Sequence, residues 1–421
     1  MVAGPYIKER LPNGLRVICE EIPYVRSVTA GIWVGAGSRY EEENSGISHF
    51  IEHLLFKGTS TRSAREIAET MDSVGGQLNA FTSKEHTCFY ARVLDQHFSV
   101  AVDLLSDMVL RSRFDPDDIA KEKGIIVEEI KMYEDAPDEL VHDLFAQNIW
   151  AEHPLGRNIV GSAGIINSLS RQDVLKYFEE HYTPDNIVVA VAGNVSPARV
   201  VEEVGRAMGG MTGKGAPVNQ PSPAVRPGVS VKTKDLEQVH ICLGTRGVPQ
   251  DHDDMYPLYV LNNTLGGGQS SRLFQKIREE RGLAYSVYSY LSSYRDAGLF
   301  TVYAGMSPQY AEEVVDIILR ELGSVRDRGL TDDELRRAKE QMKGQLMLSL
   351  ESTSNRMSRL GRSELALGRI LSPDEVIEKL NAVEMGDIRR LTSELLDEGK
   401  LALSAVGPAP ETLSSRQLRI P

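Results

Sequence analysis

The sequence predicts an α+β protein of two similar halves, each a largely antiparallel sheet packed with helices. Three observations carry this reading. First, Phe114-Asp115-Pro116-Asp117-Asp118-Ile119-Ala120-Lys121 is echoed by Leu330-Thr331-Asp332-Asp333-Glu334-Leu335-Arg336-Arg337. Each copy follows a strand-rich block and an amphipathic helix, the mark of a duplicated unit. Second, residues 209–228 hold Gly-Gly, Gly-Lys-Gly and four prolines with few apolar residues, the chemistry of a linker. Third, a chain of 421 residues is long enough for two or three domains. The expected division is a first domain over 1–208, the linker over 209–228, and a second domain over 229–421.

Taken in order, Leu15-Arg16-Val17-Ile18-Cys19 reads as a strand after the turn Pro12-Asn13-Gly14. Ser27 to Val34 reads as another. Gly35-Ala36-Gly37-Ser38 and an acidic loop (Glu41, Glu42, Glu43) lead into Gly46-Ile47-Ser48-His49-Phe50-Ile51-Glu52-His53-Leu54-Leu55-Phe56-Lys57-Gly58-Thr59. This stretch is helical in pattern and stops at Gly58. His49 and His53 lie one turn apart on one face, so two imidazoles can share one metal ion. Glu52 lies beside that face, within reach of a metal-bound water. Apolar residues cover most other sides, which predicts a buried helix. Burying two imidazoles and a carboxylate costs free energy unless something pairs with them, and a metal would. H-x-x-E-H is the inverted zinc-peptidase motif; two satisfied core histidines are the plainer alternative.

Ala64 to Val74 is an amphipathic helix stopped by Gly75-Gly76, and Leu78 to Val93 reads as one or two strands. Phe98 to Arg111 is a helix. In the helix from Asp117 to Glu134, Ile119, Ile126, Ile130 and Tyr133 cluster on one side at about 100° per residue. Glu122 and Glu129 fall on that same side, and Glu128 points to solvent. Carboxylates are rarely buried unpaired. A metal ligand with a nearby acid accounts for both, and so does a pair of buried salt bridges. Ile187 to Gly193 is a strand, and Pro197 to Met208 a helix. In the second half, aligning Ile119 with Leu335 sets Glu129 against Gln345, and no histidine follows His252. The second half is therefore expected to keep the fold without a metal site.

Composition narrows the function. The chain is 41% hydrophobic and 25% charged, within the range of globular proteins. It has no apolar run of 18 residues, so no membrane span is expected. The first ten residues resemble neither a signal nor a transit peptide. The three scattered cysteines, Cys19, Cys88 and Cys242, read as reduced thiols of a cytoplasmic protein. A net charge of −13 argues against nucleic acid and favours cationic partners.

Five segments together carry a family resemblance. They are the His49–Thr59 run, Gly76-Gln77-Leu78-Asn79-Ala80-Phe81-Thr82, Glu122 to Glu129, His153-Pro154-Leu155-Gly156, and Arg278 to Tyr285. They resemble the pitrilysin-type zinc peptidases, among them the bacterial relatives of the mitochondrial processing peptidase. The resemblance implies that His49, His53 and Glu129 bind Zn2+, one ion per chain. It implies that Glu52 is the general base and Glu122 an assisting acid. Asn79 and Ala80 would pair with an extended substrate by strand addition. Arg278 and Tyr285 would hold substrate near the zinc, and the loop Gly266-Gly267-Gly268 would help engage it. Three protein ligands leave a fourth position open, as catalytic zinc sites do.

The expected function is thus a zinc-dependent endopeptidase that cuts peptides or unfolded segments inside an enclosed clamshell. The expected assembly is a homodimer, and the expected substrates are basic or extended peptides. Two alternatives remain at the level of sequence. One is a non-catalytic scaffold or processing-partner subunit of the same fold. The other is a zinc-stabilised peptide-binding module.

Overall fold

The structure, a computed structural model, describes residues 6–215, 220–397 and 399–420. Among these residues the strands form two sheets. The first contains β1 (Ile7–Arg10), β2 (Arg16–Glu21), β3 (Ser27–Val34), β4 (Gln77–Thr82), β5 (Thr87–Leu94) and β6 (Ile187–Gly193). The second contains β7 (Gly228–Lys232), β8 (Val239–Arg246), β9 (Ala284–Ser293), β10 (Gly298–Met306) and β11 (Ala402–Val406).

The strand orders are β1-β2-β6-β3-β5-β4 and β7-β11-β8-β10-β9. Setting β1 aside, the two orders are the same. Each sheet has one parallel pair, β2 with β6 and β7 with β11, among antiparallel ones. The echo in the sequence is therefore an echo of topology.

The chain forms two compact units, each discontinuous in sequence. Unit 1 takes its residues from 1–131, 157–220 and 347–372, and unit 2 from 132–156, 221–346 and 373–421. This differs from a single cut at the linker. The helix Thr353–Leu367 belongs to the first sheet, where it contacts β2, β3 and β6. The helix Pro137–Trp150 belongs to the second, where it contacts β7, β8 and β11. The expected linker has no helix or strand over 211–215 and 220–227; 216–219 lie outside the described residues.

In unit 1, alternate residues of each central strand serve two cores. Val28, Ala30, Ile32 and Val34 pack with Phe50, Leu54, Phe98 and Leu105. Trp33, with Ile18, Val188 and Ala190, packs against Met357 and Leu360 of the helix Thr353–Leu367. Burial on both faces explains why Ile187–Gly193 is apolar throughout. Gly361 is what lets that helix approach, because a Cβ there would lie 2.3 Å from Trp33 Nε1. Arg356, itself buried, ion-pairs with the buried Glu20. In unit 2, Val239, Ile241, Leu243 and Phe300 face one core. Cys242, Leu299 and Tyr303 face Val141, Phe145 and Trp150 of the helix Pro137–Trp150.

Leu78 to Val93, read as one or two strands, is two, β4 and β5. The hairpin partner β1, exposed throughout, carries no pattern to be read. The histidine helix ends at Leu55, before Gly58, which adopts φ +121 and bridges to Ser63. All three cysteines are buried and free. No helix is long and apolar enough to cross a membrane, among the described residues.

Candidate metal centre

The histidine helix, Ile47–Leu55, buries Ile47, Phe50, Ile51, Leu54 and Leu55 against the first sheet. Its start is held by Glu41, whose carboxylate accepts from Gly46 N at 2.7 Å and Ser48 N at 2.9 Å. A carboxylate at the positive end of a helix satisfies donors that the helix leaves unpaired. Burial raises the Glu41 pKa, although these bonds oppose it. Glu41 is thus a buried cap, not part of a solvated acidic loop. Ser48 adds a 2.8 Å hydrogen bond to the Tyr177 hydroxyl.

One turn separates His49 from His53, and their ring centroids are 4.6 Å apart. The second helix, Pro116–Asp135, buries Ile119, Glu122, Ile126 and Ile130. Glu128 is exposed beside Lys131, as its facing predicts. Tyr133 is exposed, against expectation: it lies near the helix end, beyond the stripe that the core covers.

His49 Nε2 lies 3.6 Å from Glu129 Oε1, and His53 Nε2 lies 3.6 Å from Glu129 Oε2. One donor atom from each of the three residues falls within 4.8 Å of the other two, and they are the one such triad among the described residues. Burial, then the neighbouring His53, lowers the His49 pKa to about 4. The imidazole is therefore neutral at neutral pH, the form that ligates metal. Two imidazole nitrogens and a carboxylate around one point suit zinc.

Glu122 backs this group. Its Oε2 is 3.2 Å from His53 Nδ1, and Lys57 Nζ is 2.7 Å from its Oε1. Burial raises its pKa, but the bonds from His53 and Lys57 prevail and the net shift is downward. Glu52 accepts a 2.5 Å hydrogen bond from the Thr82 hydroxyl at Oε2. Burial raises the Glu52 pKa above the usual carboxylate value, despite that bond and the nearby His53.

Unit 1 also carries Asn79 and Ala80 on β4, an edge strand of its sheet. The Asn79 amide oxygen accepts from the Ala80 N–H at 2.8 Å. Arg278 and Tyr285 belong to unit 2, where Arg278 Cζ sits 4.8 Å from the Tyr285 ring centroid. Tyr285 is 79% exposed. Gly266 has a packing reason of its own, since a Cβ there would lie 2.3 Å from Ser289 N.

Lys57 and Thr82 have no role assigned from the sequence. Lys57 is one turn beyond His53, and Thr82 is two residues beyond Ala80 on a strand, so both spacings were available. Glu41 sits in an acidic run that reads as solvated.

Two sheets of one topology, with an H-x-x-E-H helix and a facing carboxylate in unit 1, define a protein of the inverted zinc-peptidase class. Residues 16–163 match the family described as Insulinase (Peptidase family M16), and 168–342 match Peptidase M16 inactive domain. The chain belongs to peptidase family M16. It is 47% identical to a Bacillus subtilis protein named uncharacterized zinc protease YmxG, over 94% of this chain and 97% of that one. A Streptomyces coelicolor protein, also named an uncharacterized zinc protease, is 42% identical over 98% of this chain and 92% of its own. The fold is shared with a Helicobacter pylori protease, at TM-score 0.90 and 23% identity, over 96% of this chain and 100% of that one. It is shared too with a Pseudomonas fluorescens peptidase M16 inactive domain, at TM-score 0.89 and 19% identity, over 96% and 98%.

Proposed function

We propose that the protein is a zinc-dependent endopeptidase acting on peptides or unfolded protein segments. The observation that carries this is the convergence of His49, His53 and Glu129 with Glu52 beside them. His49 Nε2, His53 Nε2 and a Glu129 oxygen would hold one zinc per chain. When bound, zinc supplies Lewis acidity and a water acidic enough to lose a proton near neutral pH.

Glu52 is the general base. Thr82 occupies its Oε2, so the proton is assigned to Oε1 and is then passed to the leaving amine. A raised pKa suits that exchange. Glu122 is a positioning residue: it takes the Nδ1–H of His53, which leaves the Nε2 lone pair for the metal. An extended peptide would add to β4 and displace the Asn79 amide from the Ala80 N–H. Arg278 and Tyr285 would contact substrate, and a homodimer would supply that pair to the zinc of the partner copy. The net charge of −13 supports a preference for basic peptides.

Digestion of a mixed peptide pool by the purified protein is the test. Hydrolysis should stop with chelator and return with zinc. Glu52→Gln should keep its zinc and lose about 10²–10⁴-fold in turnover. Cutting by the metal-free protein, or by Glu52→Gln at the parent rate, overturns the reading. One observation favours a second reading, a non-catalytic scaffold or processing-partner subunit: residues 168–342 match a domain described as inactive. Bound zinc without turnover of any peptide would select it.

A further inference from the structure

We infer that Thr82 is the positioning residue of Glu52, and that it ties the base to the edge strand β4. The inference rests on the peptidase reading of Glu52. Thr82 ends β4, two residues after Ala80. Its hydroxyl makes the one hydrogen bond that the Glu52 carboxylate has among the described residues.

The donor is well fixed. Thr82 stands opposite Thr87 in the β4–β5 register. Thr87 is fully buried, and its hydroxyl donates to Ala36 O at 2.9 Å. That proton is committed, so Thr87 offers Thr82 only an acceptor, at 3.4 Å. The single Thr82 proton goes instead to the carboxylate of Glu52, the nearer acceptor at 2.5 Å. A β-branched side chain on a paired strand has little χ1 freedom.

The acceptor, by contrast, needs fixing. The terminal torsion of a glutamate is broad, so nothing intrinsic to Glu52 sets the plane of its carboxylate. Clamping Oε2 from β4 directs Oε1. Loss of the clamp leaves a largely buried carboxylate without its donor and free to turn. Because Asn79 and Ala80 share the strand, the element proposed to receive substrate is also the element that aims the base.

The effect belongs in the chemical step, since Thr82 acts through Glu52. With zinc loaded, Thr82→Val should lower kcat by roughly 10–100-fold, the scale for a misplaced reacting group. Zinc content and KM should move little. Thr82→Ser, which restores a hydroxyl, should recover most of the lost turnover.

A second readout needs no activity. In a double-mutant cycle, Thr82→Val should shift the denaturation midpoint in the parent protein and much less in a Glu52→Ala background. Equal shifts in both backgrounds would mean a structural role only and would overturn the inference. So would unchanged kcat in Thr82→Val, or failure of Thr82→Ser to rescue. If the parent protein cuts no peptide, the peptidase reading fails, and the cycle alone decides whether Thr82 holds Glu52.

Discussion

The helices Pro116–Asp135 and Asp332–Ser349 are counterparts that diverged. Each follows a strand hairpin and a long amphipathic helix, in sheets of one strand order. In the alignment that pairs Ile119 with Leu335, Glu122 stands against Ala338 and Glu129 against Gln345. The first helix buries Glu122 because Lys57 and His53 meet it. The second buries a methyl at the same place, with nothing to pair. Gln345 is exposed, whereas Glu129 is half-buried against two imidazoles. The duplicated fold therefore does not require the acids. They are kept where a neighbouring helix supplies histidines, which is the pattern expected of a site and not of a core.

Copying the second helix into the first should break the comparison. Glu129→Gln removes the carboxylate that lies within 3.6 Å of both imidazoles. Zinc per chain should fall to background at micromolar metal, with hydrolysis lost alongside. Glu122→Ala is milder. It removes the partner of His53 Nδ1, a kind of loss that costs roughly 10–100-fold in metal affinity. Competition with a chromogenic chelator reads both. Full zinc occupancy in Glu129→Gln would mean that the ion is held elsewhere.

Local signals made much of this legible. Helix spacing placed His49, Glu52 and His53 together, and facing alone separated Glu122 and Glu129 from Glu128. Ser27–Val34 and Ile187–Gly193 could be bounded because their apolar runs end sharply. What remained hidden is long-range. Val141, Phe145 and Ile149 of Pro137–Trp150 are buried, and no spacing along the helix says against which sheet. The exchange of this helix and Thr353–Leu367 between units is invisible for that reason. The cap formed by Glu41 is hidden too, because a run of three acids gives no sign that one of them turns inward to cap a helix.

The two helices also differ in how they begin. Asp115 accepts from Asp117 N at the first. The second starts with a reciprocal Thr331–Glu334 pair, and Arg272 grips both oxygens of Glu334 at 2.6 and 2.7 Å. Burial opposes ionisation of Glu334, but Arg272 and Thr331 outweigh it and lower its pKa to about 2. A depressed folded-state pKa gives stability that is present above the unfolded value, about 4.3 for Glu. That stability is lost as pH falls through about 2. Glu334→Gln should cost roughly 2–3 kcal/mol at pH 7. The gap to the parent protein should close as pH drops from about 4.5 towards 2. Denaturant midpoints across that range are the measurement. A gap that stays constant would place the effect in packing and not in charge.

The smallest expected effect concerns a glycine that only the second helix has at its position, Gly344, aligned with Glu128 of the first. A Cβ at Gly344 would meet nothing within 4 Å. The position is exposed and helical, so the glycine answers to no close approach. Glycine in a helix interior costs about 0.5–1 kcal/mol relative to alanine, largely through the freedom it gives the unfolded chain. Gly344→Ala should therefore stabilise unit 2 by about that amount, a rise of roughly 2–4 °C per kcal/mol for a unit of this size. Gly361 is the control of opposite sign. There the added carbon would meet the Trp33 indole, and overpacking of that kind costs about 1–3 kcal/mol. Calorimetry on the two variants should move the midpoint in opposite directions. A fall in Gly344→Ala would mean that its exposed face is covered in the assembled protein, on the helix whose counterpart carries Glu129.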